Sequence, residues 1–302
     1  MNVLAPPISP PGTLSQTAAI PNRRLWLGGW LTEARRRSAT TMAGAVVVLF
    51  VVAALLAPVI APNDPLAGRA SERLRPPSGA HLLGTDELGR DILSRLLFGA
   101  SMSLRIQAGG VGLALLCGVT LGLLAGYRGG WLDEGIMRAM DVLLAFPGVF
   151  LSIAVIAVIG PGALNVTLAV GVALVPSFAR LVRASVMAAR GMEYVQAAHA
   201  IGASDLRIVL RHILPNCGAL LIVFTTLNLA VVLLTASGLS YLGLGVQPPE
   251  AEWGAMLSNS RSYLLTAPHA TVIPGVAIML VSTALNVLGD GLRDILDPRL
   301  RL

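Results

Sequence analysis

Long uncharged runs separated by short polar segments make up most of the chain, and they predict membrane-spanning helices. Residues 41–61 form one apolar run, which matches the length of about 20 helical residues that crosses a hydrocarbon core. Residues 142–179 carry no charge, yet as one helix they would measure about 57 Å, nearly twice the core thickness. The turn signal Gly160-Pro161-Gly162 divides that run into two spans.

The same reasoning applied to the whole chain gives six spans. They are predicted at 41–61, 106–127, 142–159, 163–179, 217–237 and 270–289. Glycines in the second span are expected to let neighbouring helices approach closely, and Pro147 and Pro176 are expected to kink the third and fourth spans. The glycine-rich residues 237–249 are expected to pack as a bent extension. The fold class is therefore all-α, a polytopic membrane protein.

The segments outside the spans complete the predicted organisation. We expect a disordered and basic N-terminal tail (1–40), the first span (41–61), an extracytoplasmic segment (62–102), a five-helix transmembrane domain (103–292) with a cytoplasmic loop (186–216), and a cytoplasmic C-terminal tail (293–302). Within the outer segment, Leu83–Leu97 is predicted to form an amphipathic helix capped by Thr85 or Asp86.

A polar segment from Glu193 to Asn216 interrupts the membrane domain. Four of its residues recur at the spacing of one helix face: Tyr194, Ala197, Ala198 and Ile201. Gly202 is expected to end this helix, and Ser204 or Asp205 to cap a second one. Pro215 is expected to stop the second helix from continuing unbroken into the next span. The result is a compact helix–turn–helix whose small alanines let another protein approach closely.

Composition excludes several classes of protein. Only 13% of residues are charged, against about a quarter in soluble proteins. All 22 basic residues are arginine, so the chain lacks the lysine that a phosphate-binding Walker loop requires, and ATP hydrolysis would have to occur on another subunit. The net charge of +6 does not indicate nucleic-acid binding, because the arginines are spread along membrane loops without a basic stripe.

The distribution of arginines predicts the orientation. With six spans, 15 arginines fall on the side of the two termini and 7 on the other side. Because basic residues accumulate in cytoplasmic segments, both termini and the segment 193–216 are predicted to be cytoplasmic.

The 193–216 segment resembles the cytoplasmic loop of bacterial ABC importer permeases, whose pattern is Glu-Ala-Ala, three residues, Gly, and an Ile-x-Leu-Pro ending. Five residues match in register: Ala197, Ala198, Gly202, Leu214 and Pro215. Gln196 stands at the usual Glu position, His212 at the usual Ile position, and His199 where this branch often has Arg. Four further stretches are similar to the C-type subunit of dipeptide and oligopeptide permeases: 83–97, 241–249, 253–257 and 291–299.

The resemblance implies a type I ABC importer permease fold in the bacterial inner membrane, surrounded by lipid. A second, homologous permease chain would complete the pore as a heterodimer, and an extracytoplasmic binding protein would deliver a peptide-like solute. Two ATPase subunits would use ATP and Mg²⁺, so no cofactor is expected in this chain. The residues implied in ATPase coupling are Glu193, Tyr194, Gln196, Ala197, Ala198, Ile201, Gly202, Leu214 and Pro215.

An ATP-independent carrier and a hydrolase are the two alternative classes of function. An ATP-independent carrier usually has ionisable residues at mid-membrane, and the predicted spans have none at their centres. A hydrolase would need a nucleophile turn such as Gly-x-Ser-x-Gly or a His-Glu-x-x-His pair, and neither is present. The spacing of Asp86, Glu87 and Asp91 fits no calcium loop, and Cys117 and Cys217 are isolated in apolar runs. A nickel chelate or glutathione stays open as an alternative solute.

Overall fold

The computed structural model describes the backbone of residues 23–296 and side chains from Ser38 onward. Its helices are α1 (Arg23–Ile60), α2 (Ile92–Arg128), α3 (Gly130–Leu144), α4 (Gly148–Ile159), α5 (Ala163–Arg190), α6 (Glu193–Ala200), α7 (Asp205–Ile208), α8 (Leu214–Tyr241), α9 (Trp253–Ser260) and α10 (Pro268–Leu296). The predicted disorder of residues 1–22 and the end of the predicted C-terminal tail, 297–302, lie outside the described residues. Backbone that was predicted to be disordered between Arg23 and Thr40 is helical.

Five of these helices are long and apolar enough to cross a membrane, and the bent pair α3–α4 gives a sixth crossing when counted as one broken span. The two helices of that pair meet at 89°. The kink expected at Pro147 in the third span is confirmed, and it is sharp enough to divide the span into two helices. Proline disfavours helical backbone at the residue before it, so α3 ends at Leu144 and α4 begins at Gly148.

Helices α2 and α5 run parallel, and their backbones approach each other closely at glycines of α2. A Cβ atom added to Gly118 would lie 3.0 Å from the carbonyl oxygen of Val175, and one added to Gly122 would lie 2.6 Å from that of Ala179. Further along, a Cβ atom added to Gly126 would lie 2.9 Å from the carbonyl oxygen of Arg183. The close approach expected from these glycines is confirmed, and their complement is another helix of the same chain.

The segment before α2 differs from the prediction, because residues 83–91 form turns and not a helix. Gly84 and Gly89 have positive φ angles of 82° and 75°, which glycine adopts without steric cost. The N-cap of α2 is Asp91, whose carboxylate accepts a hydrogen bond from the backbone N–H of Ser94 at 2.8 Å. Asp86 is occupied instead in a local turn, accepting from the N–H groups of Leu88 and Arg90.

The short helix α9 closes the same end of the bundle. Its first residue, Trp253, is buried, donates its indole N–H to the carbonyl oxygen of Leu96 at 2.9 Å, and packs 5.5 Å from the ring of Phe50. The N-cap is Glu252, whose carboxylate accepts from two backbone N–H groups of α9 at 3.0 and 2.9 Å. Burial raises the pKa of Glu252 above its usual range. Helix α9 thus ties α1 to the start of α2.

We predict that Gly122→Ala destabilises the protein, whereas Gly112→Ala does not. The new methyl group at 122 would meet the backbone of α5, and overpacking of this kind costs about 1–3 kcal/mol. A methyl group at 112 meets nothing within 4 Å, and alanine favours the helix over glycine by about 1 kcal/mol. Thermal unfolding of detergent-purified protein, followed by fluorescence-detected size exclusion, measures the difference; equal midpoints for the two variants would contradict the close packing of α2 on α5.

Candidate functional site

The polar segment 193–216 lies at the end of the bundle where α2 and α5 both finish. The Tyr127 hydroxyl donates to the Asp205 carboxylate at 2.8 Å, which joins the end of α2 to the start of α7. The Arg190 guanidinium at the end of α5 lies 5.6 Å from the Tyr127 ring centre and donates to the carbonyl oxygen of Gly126 at 3.2 Å. The first bond holds α7 against the end of α2, and the contacts of Arg190 hold the ends of α2 and α5 together.

Gly202 forms the turn between α6 and α7, as predicted. Its φ angle is +78°, and its N–H donates to the carbonyl oxygen of His199 at 2.9 Å, while the next N–H, of Ala203, reaches back to Ala198 at 3.1 Å. This is the left-handed helix ending for which glycine is preferred. Ser204 occupies the N-cap position of α7, but its side chain makes no capping hydrogen bond there.

The helix face predicted for α6 divides into a buried part and an exposed part. Ala198 is 5% exposed and packs with Val195, Val186 and Ile208 in a core cluster under the loop. The expectation that Ala198 is open to another protein is therefore wrong, because α6 must bury its small side against α5. Ala197 and Ile201 stay exposed, and Ile201 is 85% exposed.

The chain follows a helical path past Pro215, but the α-helix does not continue unbroken, as predicted. Residues Val209–Ile213 form a π-helical segment between α7 and α8, and Pro215 falls in the first turn of α8. Proline removes one N–H and clashes with the carbonyl four residues earlier, and the wider π turn is where the helix accommodates such a break. Asn216 supports the junction by donating to the hydroxyl of Tyr194 at 2.8 Å.

Four large apolar side chains are exposed around this loop, on the side away from the core cluster. We call this set the apolar face; it consists of Met192, Ile201, Leu206 and Leu210. Glu193, Gln196 and Ala197 are exposed beside it, whereas Leu214 is half-buried at the start of α8. Leu206 and Leu210 are four residues apart and therefore lie on the same side of their helix, while Met192 and Ile201 precede and follow α6. Its exposure in an isolated chain is typical of a protein-contact surface.

The sequence pattern identified the loop but missed the residues that hold it. Tyr127 and Arg190 lie at the ends of α2 and α5, far from the loop in sequence, and no local spacing relates them to Asp205. Their positions at the boundary between apolar runs and polar segments were the only available signal. A second such link is the ion pair of Arg183 with Asp133, at 2.5 and 2.6 Å, which joins α5 to α3.

This arrangement defines a polytopic helical membrane protein that presents a rigid, partly apolar loop beyond its spans. Residues 118–302 match the family model of the binding-protein-dependent transport system inner membrane component. The match covers more than half of the chain, and the chain therefore belongs to this family of ABC importer permeases.

In the described residues no group of His, Cys, Asp and Glu is placed to hold a metal ion.

Curated relatives agree along nearly the full length. The glutathione transport system permease protein GsiD of Pectobacterium atrosepticum is 45% identical over 92% of this chain and 93% of its own. The dipeptide transport system permease protein DppC of Alkalihalophilus pseudofirmus is 41% identical over 98% and 95%, respectively. The di/tripeptide transport system permease protein DppC of Pseudomonas aeruginosa is 45% identical over 84% and 86%.

Solved structures show the same fold at low sequence identity. A chain of the MetNI methionine ABC transporter, in an inward-facing conformation, gives a TM-score of 0.54 at 18% identity. The match covers 68% of this chain and 98% of that chain. A chain of an amino acid ABC transporter gives 0.53 at 13% identity, covering 67% and 94%. The type I ABC importer permease fold expected from the sequence is confirmed.

We predict that Gly202→Ala loosens the loop, while Gly202→Asn has a smaller effect. Alanine at positive φ costs roughly 1 kcal/mol, whereas asparagine tolerates this conformation. Local opening around α7 should then become about fivefold more frequent in the alanine variant, measured by hydrogen exchange of residues 203–208. Gly191→Ala is the matched control, because Gly191 has a φ of −78°. Unchanged exchange in Gly202→Ala would show that the turn does not constrain the loop.

Proposed function

We propose that this permease subunit transmits the action of separate ATPase subunits through the apolar face around α6 and α7. The single observation that carries the proposal is that Ile201 and Leu206, 85% and 69% exposed, stand on a loop fixed to the ends of α2 and α5. A partner bound to this loop would move α2 and α5 with it, because the loop is held against both helices. ATP and Mg²⁺ would be used by those subunits, and this chain would have no catalytic role.

We propose further that a second, homologous permease chain completes the pore and that an extracytoplasmic binding protein delivers the solute. In the most apolar stretch of each long helix, half of the residues or fewer are buried within the chain, from 22% in α1 to 50% in α5. Lipid and a partner permease would cover the rest.

The proposed orientation has both termini and the apolar face in the cytoplasm. Its support is the excess of arginine on that side, 15 against 7. Cysteine introduced at position 205, after replacement of Cys117 and Cys217, should resist a membrane-impermeant maleimide in intact cells, while cysteine at position 259 should react. The reverse labelling pattern would refute this orientation.

We predict that Ile201→Glu weakens association with the ATPase subunits without disturbing the fold. The side chain is almost fully exposed, so the chain itself tolerates a charge there, whereas an interface would bury the carboxylate without a partner at a cost of about 2 kcal/mol or more. Co-purification of the ATPase subunits should fall by at least about tenfold, together with solute uptake.

Leu265→Glu serves as the control for this experiment, because Leu265 is 97% exposed at the opposite end of the bundle. It should leave ATPase co-purification unchanged. Normal co-purification and uptake in Ile201→Glu would show that the apolar face is not the coupling surface.

The proposed solute is a small peptide. Relatives that match most of this chain are dipeptide, di/tripeptide and glutathione permeases, and glutathione is itself a modified tripeptide. Glutathione is therefore the second candidate, favoured by the 45% identity to a glutathione permease.

Uptake of a labelled dipeptide in cells that carry the complete transport system tests this assignment. Unlabelled di- and tripeptides in excess should abolish the signal. Stronger competition by glutathione than by ordinary tripeptides would select the second candidate, and failure of all peptides to compete would refute both.

A further inference from the structure

A polar cavity of about 170 Å³ lies at the end of the bundle opposite the apolar face. Its walls are the start of α2, the loop after α8, and α9. Seven polar residues line it: Arg90, Arg95, Ser240, Gln247, Glu250, Ser258 and Asn259. A water molecule occupies about 30 Å³ of liquid volume, so the space accommodates a ligand group larger than a single water.

Arg95 is the unusual member of this lining. Its side chain is 2% exposed, and its Nη1 donates to the carbonyl oxygens of Pro65 and Pro249 at 2.9 and 3.5 Å. Its Nε has no hydrogen-bond partner within the described residues. A buried guanidinium with an unused donor is costly. Nε itself is closed to solvent, and the side chain meets the cavity through its other atoms, where an acceptor from a ligand would stabilise it.

The nearest carboxylate cannot fill that role. Asp86 Oδ2 lies 3.3 Å from Arg95 Nε but without hydrogen-bonding geometry. The same oxygen accepts from Arg90 Nε at 2.7 Å, and Oδ1 accepts from the backbone N–H groups of Leu88 and Arg90, each at 2.9 Å. Because Asp86 is held by these three bonds, it balances the charge of Arg95 without satisfying its donor.

Hydrogen-bond acceptors stand elsewhere in the lining. Gln247 donates its amide N–H groups to the carbonyl oxygens of Gly243 and Gly245 at 3.1 and 2.9 Å, and this fixes the amide with its oxygen still able to accept. Glu250 adds an exposed carboxylate. A guanidinium donor together with these acceptors suits a ligand that carries a carboxylate and, close to it, an N–H or ammonium group.

We propose that this cavity is a carboxylate-binding site anchored by Arg95. The proposal rests on the proposed function in taking a small peptide as the solute. The carboxylate has two possible sources, namely the C-terminus of a peptide or an acidic side chain of the binding protein docked at this end. Both present the same group to Arg95, and the experiment separates them.

The test uses a cysteine reporter in the complex of this chain with its co-expressed partner subunits. Asn259→Cys is introduced with Cys117 and Cys217 replaced by Ser, and the complex is placed in nanodiscs so that both faces are accessible. The rate of maleimide modification is measured against increasing alanyl-alanine or its C-terminal amide. The acid should protect with about tenfold higher apparent affinity than the amide, since a hydrogen bond to a charged group contributes about that factor.

Variants then assign the effect to Arg95. Arg95→Gln should remove the preference for the acid, whereas Arg69→Gln, whose side chain is 79% exposed on the same outer segment, should retain it. The comparison of acid with amide in the chain that keeps Arg95 decides whether the carboxylate of the solute is bound, even when Arg95→Gln fails to fold.

Addition of the purified binding protein distinguishes the sources. Protection by the peptide alone assigns the carboxylate to the solute, and protection that needs the binding protein and is lost in Arg95→Gln assigns it to that protein. Equal protection by acid and amide without any Arg95-dependent effect of the binding protein, or no protection at all, overturns the proposal. Ile201→Glu should not alter protection, so failure of the coupling mechanism is separable from failure of this site.

Discussion

The parallel contact between α2 and α5 is the constraint on which the rest of the structure depends. Gly118, Gly122 and Gly126 have no side chain where the two backbones meet, so carbonyl groups of α5 lie within van der Waals distance of α2. Interiors packed this densely transmit displacement because they do not compress. Two parallel helices must be joined by a connection that returns along the bundle, and here α3 and α4 make that return. The glycine contact therefore fixes the position of four helices.

The two ends of the α2–α5 pair carry different groups, and at both ends polar side chains hold the neighbouring segments. At one end, Tyr127 and Arg190 extend from α2 and α5 and hold the loop that presents Ile201. At the other end, Arg95 lies within the first turn of α2 and donates to the backbone carbonyl oxygens of Pro65 and Pro249. Polar side chains at the ends of apolar helices thus organise both surfaces, while the spans between them are held by shape.

The sequence was sufficient for the class, the number of crossings and the turn at Gly202, because length, apolar character and a glycine with positive φ are local properties. It was insufficient where a second helix decides. Ala198 looks like its neighbour Ala197, and only the packing of α6 on α5 buries one and exposes the other. The failed helix over 83–91 has a different, local origin, since Asp86 accepts hydrogen bonds from Arg90 in a turn that helical periodicity does not reveal. The passage through Pro215 required a π turn, which has no simple sequence pattern.

The brevity of α4 has a consequence for the surroundings of the chain. Twelve residues of helix measure about 18 Å, well short of a hydrocarbon core of about 30 Å. If α3 and α4 form one broken span, the non-helical backbone between Leu144 and Gly148 lies where acyl chains offer it no hydrogen bonds, and Ala145, Phe146 and Pro147 are all exposed in the single chain. Irregular backbone persists at such a depth only against protein or water. Exposed residues 145–147 would therefore need protein or water beside them, and not acyl chains, wherever this break lies within the hydrocarbon layer.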